Sequence, residues 1–329
     1  MPDIHHLYFI INPFSGQKLG LRVARLLPRL MQTNYPEIMY RIIMTRETGI
    51  EWPADYTKSI PDLIIAVGGD GTASLVMDDM LKQQIEARFS IIPIGVGNDL
   101  AREFGFNNSL SPFFTWTDLK RRVHMILHSN HTQGFDIYRL GQYPMINYCS
   151  LGYDAEVLAR FHQTRNKLGN LMKIPGLNKI LYFGWGVLDL PYRIPPGSIE
   201  IILQSGDQIQ SITPASPITA ILISNIRSYG GGSKLHHDYS THDKQFEIII
   251  IDRPYHYILL ALNRFIPGLS RRLEKLIPLY HAASADLKIH RSIPIQIDGE
   301  KTEINPESIK LEHSGQIRVI TKNFTIAKE

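Results

Sequence analysis

One cysteine in 329 residues, Cys149, leaves no partner for an internal disulfide and no set of thiolates for a structural zinc, which makes a reducing compartment the natural setting. Long apolar runs are missing too: no stretch approaches the roughly 20 residues that a membrane-spanning helix needs. The opening MPDIHHLYFIINPF has no basic segment followed by an apolar one, so no secretory leader is expected. The expected location is cytoplasmic. Charge of either sign is modest, with 35 Lys and Arg against 31 Asp and Glu. A net charge of +4 suits an acidic ligand or an anionic membrane surface. No aromatic-basic motif or concentrated basic patch is present, so nucleic acid is not an expected partner. The histidines group as His5-His6, as His236-His237 with His242, and as His281 with His290. None has the helical i, i+4 spacing with a third ligand that a zinc site requires, so they read as surface or loop residues.

What is present divides the chain unevenly. In the first third, LYFIINP, MYRIIMT, PDLIIAV and SIIPIGV alternate with the helical stretches GLRVARLLPRLMQ and TASLVMDDMLKQ. Continuous apolar strands separated by amphipathic helices predict a parallel sheet covered on both faces. From about Gly134 the chain becomes a series of strand-like pieces, including FDIYRL, MINYCSLGY, IEIIL, ITAILISN, FEIIIID, PIQID and SIKLE. Gly, Pro, Asn and Asp punctuate them, and the reading is an antiparallel sandwich or barrel. Helical inserts are expected around Asp154–His162 and Ile258–Leu276. The predicted fold class is α/β plus β, with an α/β domain over 1–132 and a β-sandwich over 133–315. The segment 316–329 is a candidate for rejoining the first domain. Cys149, inside an apolar strand, is expected to be a buried, inert thiol.

Three polar loops end successive strands of the first domain. VGGDGT brings Gly68, Gly69, Asp70, Gly71 and Thr72 between a strand and a helix, where backbone N–H groups at a positive helix end favour phosphate. The Lys-Ser/Thr pair of the standard phosphate loop is missing. A carboxylate at Asp70 beside phosphate is repulsive unless a cation or donor intervenes, so a magnesium-bridged role is one reading and a ligand-free Asp-Gly turn the other. PIGVGNDLAREFG offers Gly97, Asn98 and Asp99 at a second helix start, and INPFSG offers Asn12, Ser15 and Gly16 at the end of the first strand. Loops at the carboxyl ends of parallel strands converge on one crevice, the usual ligand site of such sheets.

NPFSG (12–16), GGDGT (68–72) and GVGNDLA (95–101), in this order and spacing, resemble the catalytic domain of the diacylglycerol kinase family, which includes sphingosine, ceramide and bacterial lipid kinases. NYCSLGYDAEVLARFHQTR, LNKILYFGWG, ISNIRSYGGGSKL and IQIDGE extend the likeness and resemble the eukaryotic-type diacylglycerol kinases more than the sphingosine kinases. The resemblance implies a two-domain lipid kinase using ATP and Mg2+, phosphorylating diacylglycerol to phosphatidic acid while in peripheral contact with a membrane. It implies that Gly68 to Gly71 cradle the ATP phosphates with Thr72 against them. Asn12, Ser15 and Gly16 would line the nucleotide site, Gly97, Asn98 and Asp99 complete it, and Asp70 act through magnesium and water. Lys18 and Arg102 are nearby candidates for positive charge, or solvated helix-face charges. Glu300 is implied as the general base, with Asp298 beside it; without the resemblance, Asp298-Gly299 reads as a hairpin turn followed by an exposed glutamate.

One departure concerns a loop that holds a structural magnesium in some family members. Asp243 and Glu247 keep carboxylates there, but Lys244 stands where glycine is usual. Asp154 either faces the site or caps the helix that follows it. Leu259, Leu262, Phe265, Ile266, Leu269, Leu273 and Leu276 recur at helical spacing, with Arg264, Arg271, Arg272 and Lys275 between them. Such a stretch could rest on an anionic bilayer, but an apolar stripe normally means core. A helix pair packed on the β domain and broken at Pro267-Gly268 is therefore the expected arrangement. Two other functions share parts of the pattern: an NAD kinase, which has GGDGT in common, and a catalytically silent lipid- or nucleotide-binding relative.

Overall fold

The computed structural model describes residues 4–55, 60–95, 97–106, 115–168, 185–186, 189, 191–229, 232–234, 240–263, 266, 268–273, 275–302 and 307–322. The chain divides into two compact units, one of Met1–Asp136, Gly230–Gly232 and Gly315–Glu329, the other of Ile137–Tyr229 and Ser233–Ser314.

The first unit is built on four parallel strands, β1 (His6–Ile11), β2 (Met39–Met44), β3 (Leu63–Gly68) and β4 (Arg88–Pro93), in the order β2-β1-β3-β4. All six residues of β3 are buried, and five of six in β1 and in β4, whereas the edge strand β2 is half-exposed. Helices cover central parallel strands on both faces, which is why these runs are continuously apolar rather than alternating. The helices are α1 (Ser15–Asn34), α2 (Asp70–Lys82), the short α3 (Asp99–Glu103) and α4 (Trp116–Leu127). In α1, Val23, Leu27, Leu30 and Met31 form the buried stripe that a 3.6-residue period predicts. Each such side chain contributes about 1.5–3 kcal/mol by leaving water. A capping box starts α4, with Thr115 and Asp118 each accepting from the other's backbone N–H. Strand β5 (His131–Leu140) begins in this unit, and β18 (Ser308–Thr321) ends in it, pairing parallel to β4 at Val319 and Phe89.

The second unit adds β6 (Tyr143–Met145), β7 (Tyr148–Gly152), β8 (Ile199–Ser205), β9 (Gln208–Ile212), β10 (Ala220–Ser224), β11 (Ser228–Tyr229), β12 (Ser233–Lys234), β13 (Phe246–Ile251), β14 (Leu279–Ala282), β15 (Ser284–Ile289), β16 (Ile295–Ile297) and β17 (Glu300–Thr302). Its helices are α5 (Tyr153–Leu168), α6 (Pro254–Leu262) and α7 (Leu269–Leu273). An antiparallel sheet runs β14-β13-β10-β7-β16-β17. Successive residues of a strand face opposite sides, and both sides are used. Cys149, Leu151, Ile221, Ile223, Phe246 and Ile248 pack with Ile201 and Leu203 of β8, Leu287 of β15 and Leu311 of β18, forming a sandwich core. The alternate residues Ala220, Leu222, Ile249 and Ile251 pack with Tyr153 and Val157 of α5, Leu260 of α6 and Leu273 of α7. Double coverage explains why β10 (AILIS) and β13 (FEIIII) are buried throughout. The α/β plus β architecture is the one the sequence predicts, and Cys149 is fully buried, its thiol pKa pushed far up by burial.

Candidate functional site

In the first unit the three polar loops meet at the carboxyl ends of β1, β3 and β4. Backbone hydrogen bonds lace them together: Asn12 N donates to Val67 O (3.0 Å), Ile94 N to Gly68 O (2.8 Å) and Ser15 N to Asn12 O (3.2 Å). Asn12 Oδ1 accepts from Phe14 N at 3.0 Å, and its Nδ2 donates to the buried Thr72 Oγ1 at 3.2 Å. Gly69 and Gly95 pass backbone to backbone, so that a Cβ on residue 95 would lie 2.6 Å from Gly69 Cα. Only glycine permits that approach. Gly16 lies against the Ile94 carbonyl, while Gly71 faces open space. Thr72→Val, which strips the acceptor from Asn12, is expected to cost about 1 kcal/mol and to lower the thermal midpoint by about 2 °C, read by calorimetry.

Asp70, the first residue of α2, reaches across to the next loop. Its Oδ2 accepts from Asp99 N and its Oδ1 from Leu100 N, both at 3.1 Å. It thereby satisfies N–H groups that open α3, which the helix itself leaves without acceptors. Gly97 lies beside this carboxylate, where a Cβ would come within 3.0 Å of Oδ2. Asn98 is left-handed (φ 54°) and buried, with Nδ2 donating to Gly95 O at 2.7 Å and Oδ1 without a hydrogen-bond partner among the described residues. Asp99 is buried and pairs with Arg102 at 2.6 Å, so Arg102 is tied to a carboxylate, while Lys18 is exposed in a left-handed turn. Among the described residues no side chain caps α2, whose N-cap is Gly69. An uncapped helix start at the mouth of a glycine loop is a site for phosphate. A carboxylate offers about four acceptor sites, so holding backbone amides is compatible with a further ligand. ATP phosphates and a water-bridged Mg2+ fit this donor set. A separate open cavity of about 670 Å³, lined by Asp62, Glu86, Arg88 and Arg318, lies at the opposite, amino-terminal ends of β3 and β4 and shares no residue with these loops.

In the second unit, Asp298 and Gly299 make the two-residue turn between β16 and β17, with φ of 50° and 88°. Both values are positive, as the tightest hairpin turns require. The Asp298 carboxylate accepts three backbone N–H groups, those of Ile146 (3.0 Å), Asn147 (2.8 Å) and Tyr148 (3.1 Å). Gly299 N donates to Gln296 Oε1 at 2.8 Å. Held at these points, the turn presents Glu300 in an exposed position.

Of the group beneath that turn, sequence reasoning singled out only Asp154. Gln296 and Ser150 are cross-strand partners on the helix-facing side of the sheet. Gln296 Nε2 donates to Ser150 Oγ (2.9 Å), and Ser150 Oγ donates to Asp154 Oδ2 (2.7 Å). Tyr257 OH, from α6, donates to Asp154 Oδ1 (2.7 Å), and Tyr229 OH shares a hydrogen bond with Tyr257 OH. Gln296, Ser150 and Asp154 are all buried. Burial, with Asp154 and Asp189 nearby, pushes the Tyr153 hydroxyl up to about 12. A polar residue at the centre of an otherwise apolar strand, as in both IQI and CSL, is the signal that could have pointed here.

Asp243 and Glu247 lie elsewhere. The strand carrying Glu247, β13, stands four strands from β17, so the sheet does not bring these carboxylates to Glu300. Glu247 is buried opposite His281 on β14, whose Nδ1 lies 3.6 Å from Oε1, and Asp243 accepts from Gln245 N. Among the described residues no group of three or more His, Cys, Asp or Glu could hold a metal ion. The neighbouring Glu247 carboxylate raises the His281 pKa above its ordinary 6.5. A raised folded pKa stabilises fully below the unfolded value, and that stability is lost as pH rises through the folded value. Melting curves taken upward from about pH 6.5 should therefore show a decline in the wild type that His281→Gln flattens.

Both units match models of known protein families. Residues 6–126 match the family model of the diacylglycerol kinase catalytic domain and residues 144–301 that of the diacylglycerol kinase accessory domain. Diacylglycerol kinase 2 of Arabidopsis thaliana is 26% identical over 98% of this chain, and human diacylglycerol kinase iota 23% identical over 98%. The chain spans 47% and 32% of the lengths of those relatives. Among solved structures, a diacylglycerol kinase from Bacillus anthracis str. Sterne superposes with a TM-score of 0.66 at 18% identity, covering 98% of this chain and 99% of its own.

Proposed function

Because the chain belongs to the diacylglycerol kinase family, we propose that it transfers the γ-phosphate of ATP to a lipid hydroxyl, with diacylglycerol as acceptor and phosphatidic acid as product. The observation that carries this reading is the uncapped start of α2 within a glycine cradle, whose loops Asp70 ties together. The backbone of Gly68 to Gly71 cradles the triphosphate with Thr72 against it, while Asn12, Ser15 and Gly16 line the same site and Gly97, Asn98 and Asp99 complete its wall. Phosphoryl transfer asks mainly for positioning and charge neutralisation. Magnesium, held through Asp70 and water, would supply the positive charge that these loops lack.

Glu300 accepts the proton of the lipid hydroxyl as the oxygen bonds to the γ-phosphorus and the bond to the β-γ bridging oxygen breaks, releasing ADP. General-base assistance of this kind is worth roughly 10²–10⁴ in rate. Asp298 positions the base through the turn without touching the reacting atoms. The test is transfer of labelled γ-phosphate from ATP to diacylglycerol, monoacylglycerol, sphingosine and ceramide in mixed micelles, with NAD as a soluble control. Labelled phosphatidic acid that requires magnesium supports the reading. Labelled NADP, or no product while ATP still binds, overturns it.

A further inference from the structure

The α6–α7 region shows two apolar faces where a packed helix pair needs one. Leu260 and Leu273 are buried in the core, with Leu259 and Leu269 partly buried against it, as the expected packing requires. That expectation is incomplete, because Leu262, Ile266 and Leu276 point to solvent, joined by Tyr255 and Ile258. These five side chains are 41–59% exposed and make up five of the eleven large exposed hydrophobics among the described residues. On α6 the two faces separate cleanly: His256, Leu260 and Asn263 are inside, while Tyr255, Ile258 and Leu262 are outside at i, i+3 and i+7. Phe265 lies outside the described residues. A concentration of exposed apolar side chains on one short segment marks a contact surface rather than ordinary surface scatter.

The charge around it selects the partner. From Asp252 to Ile277 the sequence holds five basic residues (Arg253, Arg264, Arg271, Arg272 and Lys275) and two acidic residues, Asp252 and Glu274, with Asp252 lying 3.7 Å from Arg253. Its net +3 is most of the chain's +4. Arg253, Arg271, Arg272 and Lys275 are exposed. Apolar side chains interspersed with exposed cations complement an anionic lipid surface, whose headgroups attract the cations while the acyl boundary accepts the apolar groups. We propose that this face of α6 and α7 is the surface by which the protein docks on an anionic bilayer. The inference takes from the proposed function only that the acceptor is a lipid.

The test is flotation of the intact protein, without ATP, on vesicles of phosphatidylcholine alone and of phosphatidylcholine with phosphatidylserine. The wild type is expected on the anionic vesicles. Ile258→Gln with Leu262→Gln should weaken binding at least 10-fold. Arg271→Gln with Arg272→Gln should remove about 30-fold of the preference for anionic over neutral vesicles. Ile209→Gln, at an exposed apolar residue of β9, should change nothing. Transfer to a dispersed short-chain diacylglycerol, assayed in parallel, should persist in every variant. No such activity in the wild type, with vesicle binding intact, would defeat the kinase reading and leave the surface standing. Equal vesicle binding by the Ile258/Leu262 variant, or none by the wild type, overturns the proposal. So does self-association that these same substitutions abolish, which would make a second copy of the chain the occupant.

Discussion

Glu300→Gln is expected to slow phosphoryl transfer by roughly 10²–10⁴-fold while leaving the melting temperature unchanged. The substitution keeps the size of the side chain and its exposed position but removes the proton acceptor. Exposed substitutions away from packed or hydrogen-bonded features typically fall within about 0.5 kcal/mol of neutral. A loss confined to the rate, with ATP affinity retained, is the signature of a group that acts on the hydroxyl alone. Paired measurements of transfer rate and thermal unfolding decide the matter. A variant that transfers at the wild-type rate would remove Glu300 from the reaction, and one that melts early would make its role structural.

Two residues away, Asp298→Ala should behave in the opposite way. Its carboxylate takes three backbone N–H groups from Ile146, Asn147 and Tyr148, and its own backbone sits at φ 50°. Alanine strands those donors, at about 1–3 kcal/mol for each one that water cannot reach. It also places a residue that disfavours left-handed backbone in the turn, at roughly 1–2 kcal/mol. A total near 3–5 kcal/mol, moderated because the site is only half-buried, is a large fraction of the ~5–15 kcal/mol that stabilises a typical domain. Denaturant unfolding should register it directly. Activity should fall as well, since the turn that presents Glu300 loses its tether. Asp298→Asn, which tolerates left-handed backbone and keeps one acceptor oxygen, should lie between wild type and alanine in both measurements. Equal stability of the Asn and Ala variants would mean that the carboxylate does not hold the turn.

These two residues also mark how far the sequence could be read. The Asp298-Gly299 turn was legible because a two-residue hairpin leaves few alternatives to such a pair, and so was the burial of the strands flanking each glycine loop. Asp70 was legible as unusual, but its neighbours were not. Its partners are backbone amides 29 and 30 residues away, which no local pattern announces. The left-handed Gln17 and Lys18 are exposed, and nothing in their residue types announces that backbone. The network of Gln296, Ser150, Asp154 and Tyr257 joins positions up to 146 residues apart, each ordinary by itself. At α6 and α7, periodicity counted inward and outward leucines alike. Which of them meet water is decided by the sheet beneath.

The path of β18 bears on how the chain is made. Its residues 315–321 complete the first unit beside β4, yet almost all of 137–314 belongs to the second. At roughly 5–20 residues per second, a ribosome needs about ten to thirty-five seconds to pass from the end of the first segment to that strand. For this interval β4, with Phe89, Ile91 and Ile92 buried in the finished protein, has an open edge of the kind that invites stray pairing. The first unit therefore cannot finish folding in order of synthesis, and its nascent form is where a chaperone would have most to protect.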